Sequence, residues 1–288
     1  MFVILGANGN TGSVVASTLL ARGKKVRVVA RDAAKVEGLR SKGAEVVTGD
    51  VLDSSSMTRA FEGAEGAYLL TPPDNASNDL VGRGRKIIDA YLQAIDAAGV
   101  RHAALLSSVG AQLPSGTGPI VITHYAETTL AKAKQAKLTF VRAAYFMENI
   151  LNYAHAMKND GVLPVFGGGE SYPFPMVATR DIGEVAAEAL LNPPASTEVV
   201  ELMGPKEYSF ADAASEASQI LGREVKPMVL PLDAMVPTMM QFGISQNVAG
   251  LYREMTEAFG TGKVGFEGKG RTVRGKVTLG EVLRAGLR

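Results

Sequence analysis

Short β-branched runs alternate with helical patterns through the first half of the chain, and this alternation constrains the fold more than any other feature. Phe2 to Leu5, Lys25 to Ala30, Ala44 to Thr48, Ala67 to Leu70, His102 to Ser107 and Leu138 to Arg142 read as strands. Thr11 to Arg22, Ala33 to Ser41, Ser54 to Phe61, Leu80 to Ala98 and Thr123 to Gln135 read as the helices between them, and Gly99 stands where a C-terminal cap is expected. Parallel neighbours cannot be joined by a tight hairpin, so strict alternation means crossover connections. Right-handed crossovers place helices on both faces, which gives an α/β fold with a doubly wound parallel sheet.

The first turn of that sheet carries the strongest chemical signal. Gly6-Ala7-Asn8-Gly9-Asn10-Thr11-Gly12 follows the first strand and opens the first helix, the context that a phosphate cradle requires. Gly6 permits the tight turn, Gly9 lets the backbone approach a pyrophosphate, and Gly12 lets the helix pack close to the strand. The helix start adds free N–H donors and a partial positive charge. Asn8, Asn10 and Thr11 complete the turn. The spacing is GxxGxxG rather than the GxGxxG of many dehydrogenases. The expected architecture is therefore a Rossmann-type sheet that binds a dinucleotide.

The strand ends that follow suggest which dinucleotide. The second strand ends at Ala30 and is followed by Arg31. A carboxylate at this place would bind ribose hydroxyls, whereas an arginine forms a bidentate pair with a 2′-phosphate. Lys35, one turn on, adds a second charge, and Asn10 can donate to the same phosphate. Asp32 competes, because it can serve the hydroxyls of NAD. The balance favours NADP(H). Asp50, at the end of the third strand, can accept from the adenine amino group with Val51 against the ring, or it can cap the next turn. Thr71-Pro72-Pro73 forms a rigid turn expected beside the second ribose and the nicotinamide. Ser107 and Ser108 end the fifth strand, facing the cleft.

Composition narrows the function classes. The formal net charge is +1, from 30 Lys+Arg against 29 Asp+Glu, and no Lys/Arg block stands out. No long-range field is available to collect nucleic acid or an anionic membrane. There are no cysteines, which excludes disulfides, thiol nucleophiles and Cys-ligated metal centres. The three histidines lack metal-ligand spacing, no GxSxG elbow accompanies the serines, and no helix reads as a DNA-recognition helix. No stretch approaches the roughly 20 apolar residues of a membrane span. The N-terminal apolar run is too short for a signal peptide. The expectation is a soluble, cytoplasmic protein acting on a small-molecule hydride acceptor, as a monomer or a homodimer.

Beyond Asn149 the rhythm loosens. Gly167-Gly168-Gly169 precedes Tyr172-Pro173-Phe174-Pro175. A helix (Arg180 to Leu191), a strand (Glu198 to Met203) and a further helix (Phe210 to Leu221) follow, leading into Val225 to Leu230. Met235, Met239, Met240 and Phe242, with Tyr252, Met255 and Phe259, suit an adaptable apolar pocket or the packing of helices onto the core. We expect an NADP-binding core over 1–149 and a small C-terminal α/β substrate lobe over 150–288, with parts such as 176–203 returning to the core.

Taken together, the chain resembles the NmrA-like family of atypical short-chain dehydrogenases/reductases. The pieces that carry the resemblance are "GANGNTG" at Gly6 to Gly12, "RD" at Arg31-Asp32 and "GD" at Gly49-Asp50. Further pieces are "GVRHAALLSSVGA" at Gly99 to Ala111, "FMEN" at Phe146 to Asn149 and "TRDIGEVAAEAL" at Thr179 to Leu190. The resemblance implies NADP(H) preference and one of two roles. One is reduction of quinones, dyes or aromatic compounds; the other is redox sensing with little turnover, acting through a protein partner. It also implies that Phe146 and Asn149 border the nicotinamide. Short-chain dehydrogenases use a Tyr-x-x-x-Lys pair, but here Tyr125 is followed four residues on by Thr129. His124, at the start of the helix before the sixth strand, is the stronger catalytic candidate, with Tyr125 beside it. An imidazole there can protonate an acceptor oxygen near neutral pH.

Overall fold

Strands buried on both faces, as β1 (Phe2–Leu5) is at all four positions, have to lie inside a sheet covered by helices on both sides. The computed structural model describes residues 1–288 and shows that arrangement. After β1 come α1 (Asn10–Ala21), β2 (Val26–Ala30), α2 (Glu37–Arg40), β3 (Glu45–Thr48), α3 (Ser54–Phe61) and β4 (Gly66–Leu69). Then follow α4 (Leu80–Ala98), β5 (His102–Ser108), α5 (Ile120–Leu130) and β6 (Lys137–Ala143). All these strands pair in parallel, and the spatial order runs β3-β2-β1-β4-β5-β6.

The second half of the chain extends the sheet and builds a lobe beside it. Its strands are β7 (Tyr145–Phe146), β8 (Val162–Phe166), β9 (Phe174–Val177), β10 (Glu198–Met203), β11 (Glu207–Tyr208), β12 (Lys226–Leu230) and β13 (Arg271–Arg274). Its helices are α6 (Ala154–Asn159), α7 (Thr179–Leu191), α8 (Phe210–Leu221), α9 (Met235–Gln241), α10 (Gln246–Gly260) and α11 (Leu279–Leu287). β10 and β13 join β6 in parallel and bring the main sheet to eight strands. The lobe holds a three-stranded sheet, β11-β9-β7, and a parallel pair, β12-β8.

The core divides by face. On one side Met57 and Phe61 of α3, Ile87, Ile88 and Tyr91 of α4 and Leu130 of α5 cover Val3, Leu69 and Leu105. On the other, Val15 and Leu19 of α1 meet Ala186, Ala187 and Leu190 of α7 over Ile4, Val28 and Tyr68. A separate cluster under α8 and α11 supports the lobe through Met147, Met176, Ala213 and Leu283. The order reverses between β1 and β4, so their carboxyl ends open the crevice where a ligand binds in this architecture.

One boundary differs from the sequence reading in a way that matters. The helix expected from Thr123 starts instead at Ile120, after Pro119, whose fixed φ suits a helix start. It ends at Leu130, where tight turns follow and Asp96 of α4 accepts from the Lys134 N–H at 2.9 Å. His124 therefore lies inside α5 rather than at its start.

Candidate functional site

The glycine turn has the geometry of a phosphate cradle. Gly6 adopts φ +62°, in the left-handed region that only glycine enters without strain. A Cβ at Gly12 would collide with the Gly6 carbonyl oxygen and lie 2.8 Å from that of Leu5, so the contact between α1 and β1 demands glycine. Gly9 differs: a Cβ there would meet only the Gly6 carbonyl oxygen, at 3.3 Å, and the residue is exposed. The packing of the protein itself thus asks less of Gly9 than of Gly12, and a dinucleotide pyrophosphate fits the exposed backbone. No side chain caps α1, and its first turn carries no acidic residue. The amides of Asn10, Thr11 and Gly12 are left without intrahelical partners. Asn8 and Asn10 are exposed beside them, whereas Thr11 is buried and its hydroxyl accepts from Tyr68 Oη at 2.9 Å. Burial raises the Tyr68 pKa, so the phenol stays a donor and holds Thr11 in place. Thr11 has its N–H left to offer a ligand.

At the end of β2, Arg31 is exposed and forms no ion pair. Asp32, its competitor in the sequence, is engaged: its Oδ1 accepts from the Ala34 amide at 3.0 Å and caps the turn over Ala33–Val36. Lys35 is exposed on that turn. The rim next to the glycine turn therefore presents cations, with the nearest carboxylate tied to the backbone. Asp50 caps its own turn by accepting from the Leu52 amide at 3.0 Å, with Val51 half-buried beside it.

Thr71 and Pro72 follow β4 and form the lip of a cavity of about 140 Å³ between the starts of α4 and α5 and the side of α10. His124 is half-buried on α5, and its Nδ1 lies 2.8 Å from the Ala111 carbonyl oxygen. A carbonyl can only accept, so Nδ1 carries the hydrogen and Nε2 is the atom left for chemistry.

Two expected site residues point elsewhere. Tyr125 donates its hydroxyl to Asp89 Oδ1 of α4 at 2.7 Å, and Arg85 lies over its ring. It belongs to the seam between α4 and α5, and the hydrogen bond to Asp89, with some burial, raises its pKa. With its hydroxyl engaged by Asp89 in that seam, Tyr125 is not the free phenol that the catalytic role expected of it requires. Ser107 is buried and donates to Glu127 Oε1 at 2.6 Å. Glu127 in turn accepts from Arg142 Nε at 3.0 Å and Nη2 at 2.7 Å. The Ser107 hydroxyl is thus part of an internal ion network, not a cofactor contact.

Beyond β6, Phe146 packs half-buried against the sheet core, and Asn149 stands beside the Tyr145 hydroxyl. Tyr145 is itself edge-on to Phe174 and Phe210. Glu148 has a different task, since both its oxygens accept from the Thr179 amide at 2.9 and 3.0 Å and cap α7. The sequence reading missed Arg83 and Val248, which line the cavity with Tyr252. A charged residue in the first turn of the helix after β4 was the only signal for Arg83.

Known proteins share the sequence and the fold. The chain is 27% identical over 259 residues to the NAD(P)H azoreductase of Xenophilus azovorans, covering 88% of this chain and 86% of that one. It is 26% identical over 229 residues to quinone oxidoreductase 2 of Escherichia coli, covering 78% and 76%. The crystal structure of the Citrobacter sp. triphenylmethane reductase complexed with NADP(H) superposes with a TM-score of 0.80 at 18% identity, covering 100% of both chains. The model of the NmrA-like family matches residues 1–269. With that match across the doubly wound sheet and its glycine turn, the chain belongs to the NmrA-like family.

Proposed function

We propose that this protein is an NADPH-dependent oxidoreductase that passes hydride to a quinone-like or other aromatic acceptor. The observation that carries the reading is the uncapped glycine turn at α1 next to an Arg31 that has no ion partner, with Asp32 held by the backbone. The amides of Asn10, Thr11 and Gly12 hold the pyrophosphate, and Arg31 with Lys35 pairs with the 2′-phosphate. Asp50 and Val51 flank the adenine, and Thr71, Pro72, Phe146 and Asn149 border the nicotinamide. NADPH, when bound, supplies the hydride.

The residues of the chain then orient and protonate. His124, fixed through Nδ1, holds or delivers a proton at Nε2. The apolar side chains Leu80, Ile87, Ile122, Val248 and Tyr252 in the cavity beside Thr71 hold a planar acceptor. A reactive quinone needs little more than positioning, so a single proton donor suffices. The names of the azoreductase and the quinone oxidoreductase support this class of acceptor.

A second reading is favoured by the capture of Tyr125 in the α4–α5 seam and by the lack of a lysine four residues on. In it, the protein senses NADP(H) and reports to a protein partner. Oxidation of NADPH and NADH with a panel of quinones, by wild type and Arg31→Ala, separates the two. The proposal expects NADPH preference of about tenfold or more, lost in Arg31→Ala, as for a charge-assisted pair. Tight NADPH binding without turnover would establish the sensor, and equal use of both cofactors would end the role of Arg31.

A further inference from the structure

Arg83, on the first turn of α4, is a guanidinium in the wall of a cavity that is apolar on one part and polar on another. Leu80, Ile87, Ile122, Val248 and Tyr252 form the apolar part of that wall. The Arg83 side chain is only 18% exposed. Its Nε donates to Asp74 Oδ2 at 2.8 Å, and Asp74 is the only carboxylate within ion-pair distance. Nη1 is buried and has no partner in the protein. A desolvated N–H without an acceptor is costly, and a guanidinium held by one edge still presents its other donors to a planar, two-oxygen anion.

The position of the cavity says what that anion belongs to. Its lip is Thr71-Pro72, the turn after β4 that is proposed to border the nicotinamide. The slot therefore continues from the place proposed for hydride transfer. Its roof is tied down. The Ser245 amide donates to Asn75 O at 2.8 Å, the Ser245 hydroxyl donates to Ser77 O, and the Leu80 amide donates to Asn247 Oδ1 at 3.0 Å. These bonds fasten the start of α10 to the loop after β4, so the slot is preformed.

We infer that Arg83 and the apolar slot between α4, α5 and α10 form a subsite for aromatic acceptors that carry a carboxylate or a sulfonate. This rests on the reductase reading of the adjacent crevice. The apolar walls take the ring, and the free side of the guanidinium takes the anionic group. A phosphate of the cofactor has the same chemistry, and the test separates the two sources.

The experiment compares 1,2-naphthoquinone-4-sulfonate with 1,2-naphthoquinone as acceptors for wild type, Arg83→Gln and Arg83→Lys. For Arg83→Gln we expect kcat/KM on the sulfonated quinone to fall about tenfold or more, as when a charge-assisted pair is lost. The neutral quinone should stay within about twofold, and the KM for NADPH should not move. Arg83→Lys keeps the charge without the fork, and its loss should be intermediate and confined to the sulfonated quinone. It carries the test if Arg83→Gln does not fold. Equal losses on both quinones, or a raised KM for NADPH, would overturn the proposal, the latter assigning Arg83 to the cofactor. Calorimetric titration of 2-naphthoate and 2-naphthamide is independent of turnover. Selective naphthoate binding lost in Arg83→Gln upholds the subsite even if no quinone is reduced, in which case the reductase reading alone fails. Naphthoate binding unchanged by the substitution retires the subsite.

Discussion

The glycine turn separates two reasons for a glycine, and mutation distinguishes them. Gly12 is required by the protein, because its Cβ would press on two backbone carbonyls that cannot yield. Gly12→Ala should destabilise by about 1–3 kcal/mol, the range for overpacking a tight contact, and should weaken NADPH together with the fold. A Cβ at Gly9 would meet one atom, the Gly6 carbonyl oxygen at 3.3 Å, a tight contact but a milder one than at Gly12, and the residue is exposed. Gly9→Ala should lower the melting temperature less than Gly12→Ala does, yet weaken NADPH severely. Thermal melts with and without NADPH check both. A Gly9→Ala protein that binds NADPH normally would place the pyrophosphate elsewhere. At this scale the sequence was readable where residues act with their chain neighbours, as in the turn that Gly6 and Gly12 require. It did not show the partners of Tyr125 and Ser107, Asp89 and Glu127, which lie 36 and 20 positions away.

Elements with their own end signals were legible to the residue. α4 begins after Asp79, whose Oδ1 accepts from the Gly82 amide at 2.8 Å, and ends at Gly99 with φ +66°. α8 carries a capping box between Ser209 and Asp212. The two-residue strands β7 and β11 left no trace, because two positions cannot show a period. Two pieces of the family resemblance prove to be joints: Glu148 caps α7 at Thr179, and Asp181 accepts from the amides of Lys276 and Val277 at 3.1 and 3.0 Å. His102 is another joint. Its Nε2 lies 2.9 Å from Leu190 O, linking the start of β5 to the last turn of α7. Burial lowers its pKa, with the bond to Leu190 opposing. The folded protein then takes up the proton less readily than the unfolded chain. Stability from this group is fully present above the unfolded value of about 6.5 and is lost as pH falls through it toward the folded pKa. The melting temperature should therefore fall between about pH 7 and pH 5, and His102→Gln should flatten that slope. Equal slopes in both proteins would remove His102 as the cause.

At the scale of the whole molecule, the question is how residues beyond Asn149 are fixed to the first half. Part of the answer is β13, whose sequence, Arg271-Thr272-Val273-Arg274, is mostly exposed at the sheet edge. Charged edge strands guard against pairing with other chains, and for the same reason carry no apolar signal that a sequence reading can catch. The other part is Arg142. From β6 it binds Glu127 of α5 through two nitrogens, and it reaches Glu267, just before β13, through Nη1 at 3.1 Å. The Glu127 side chain is 9% exposed and that of Glu267 28%, so the two pairs should respond differently. Arg142→Leu strands the Glu127 carboxylate in the interior and should cost about 3–5 kcal/mol. Glu267→Gln leaves the buried pair intact and should cost far less than Arg142→Leu. The double variant Glu127→Leu with Arg142→Leu removes both buried charges and should recover much of the single loss, because desolvation of an ion pair offsets most of its attraction. Denaturant unfolding of the three proteins measures each term. If the double variant is no more stable than Arg142→Leu, the unpaired carboxylate is not the source of the loss. The bridging role of the guanidinium between β6 and the segment before β13 would then have to account for it.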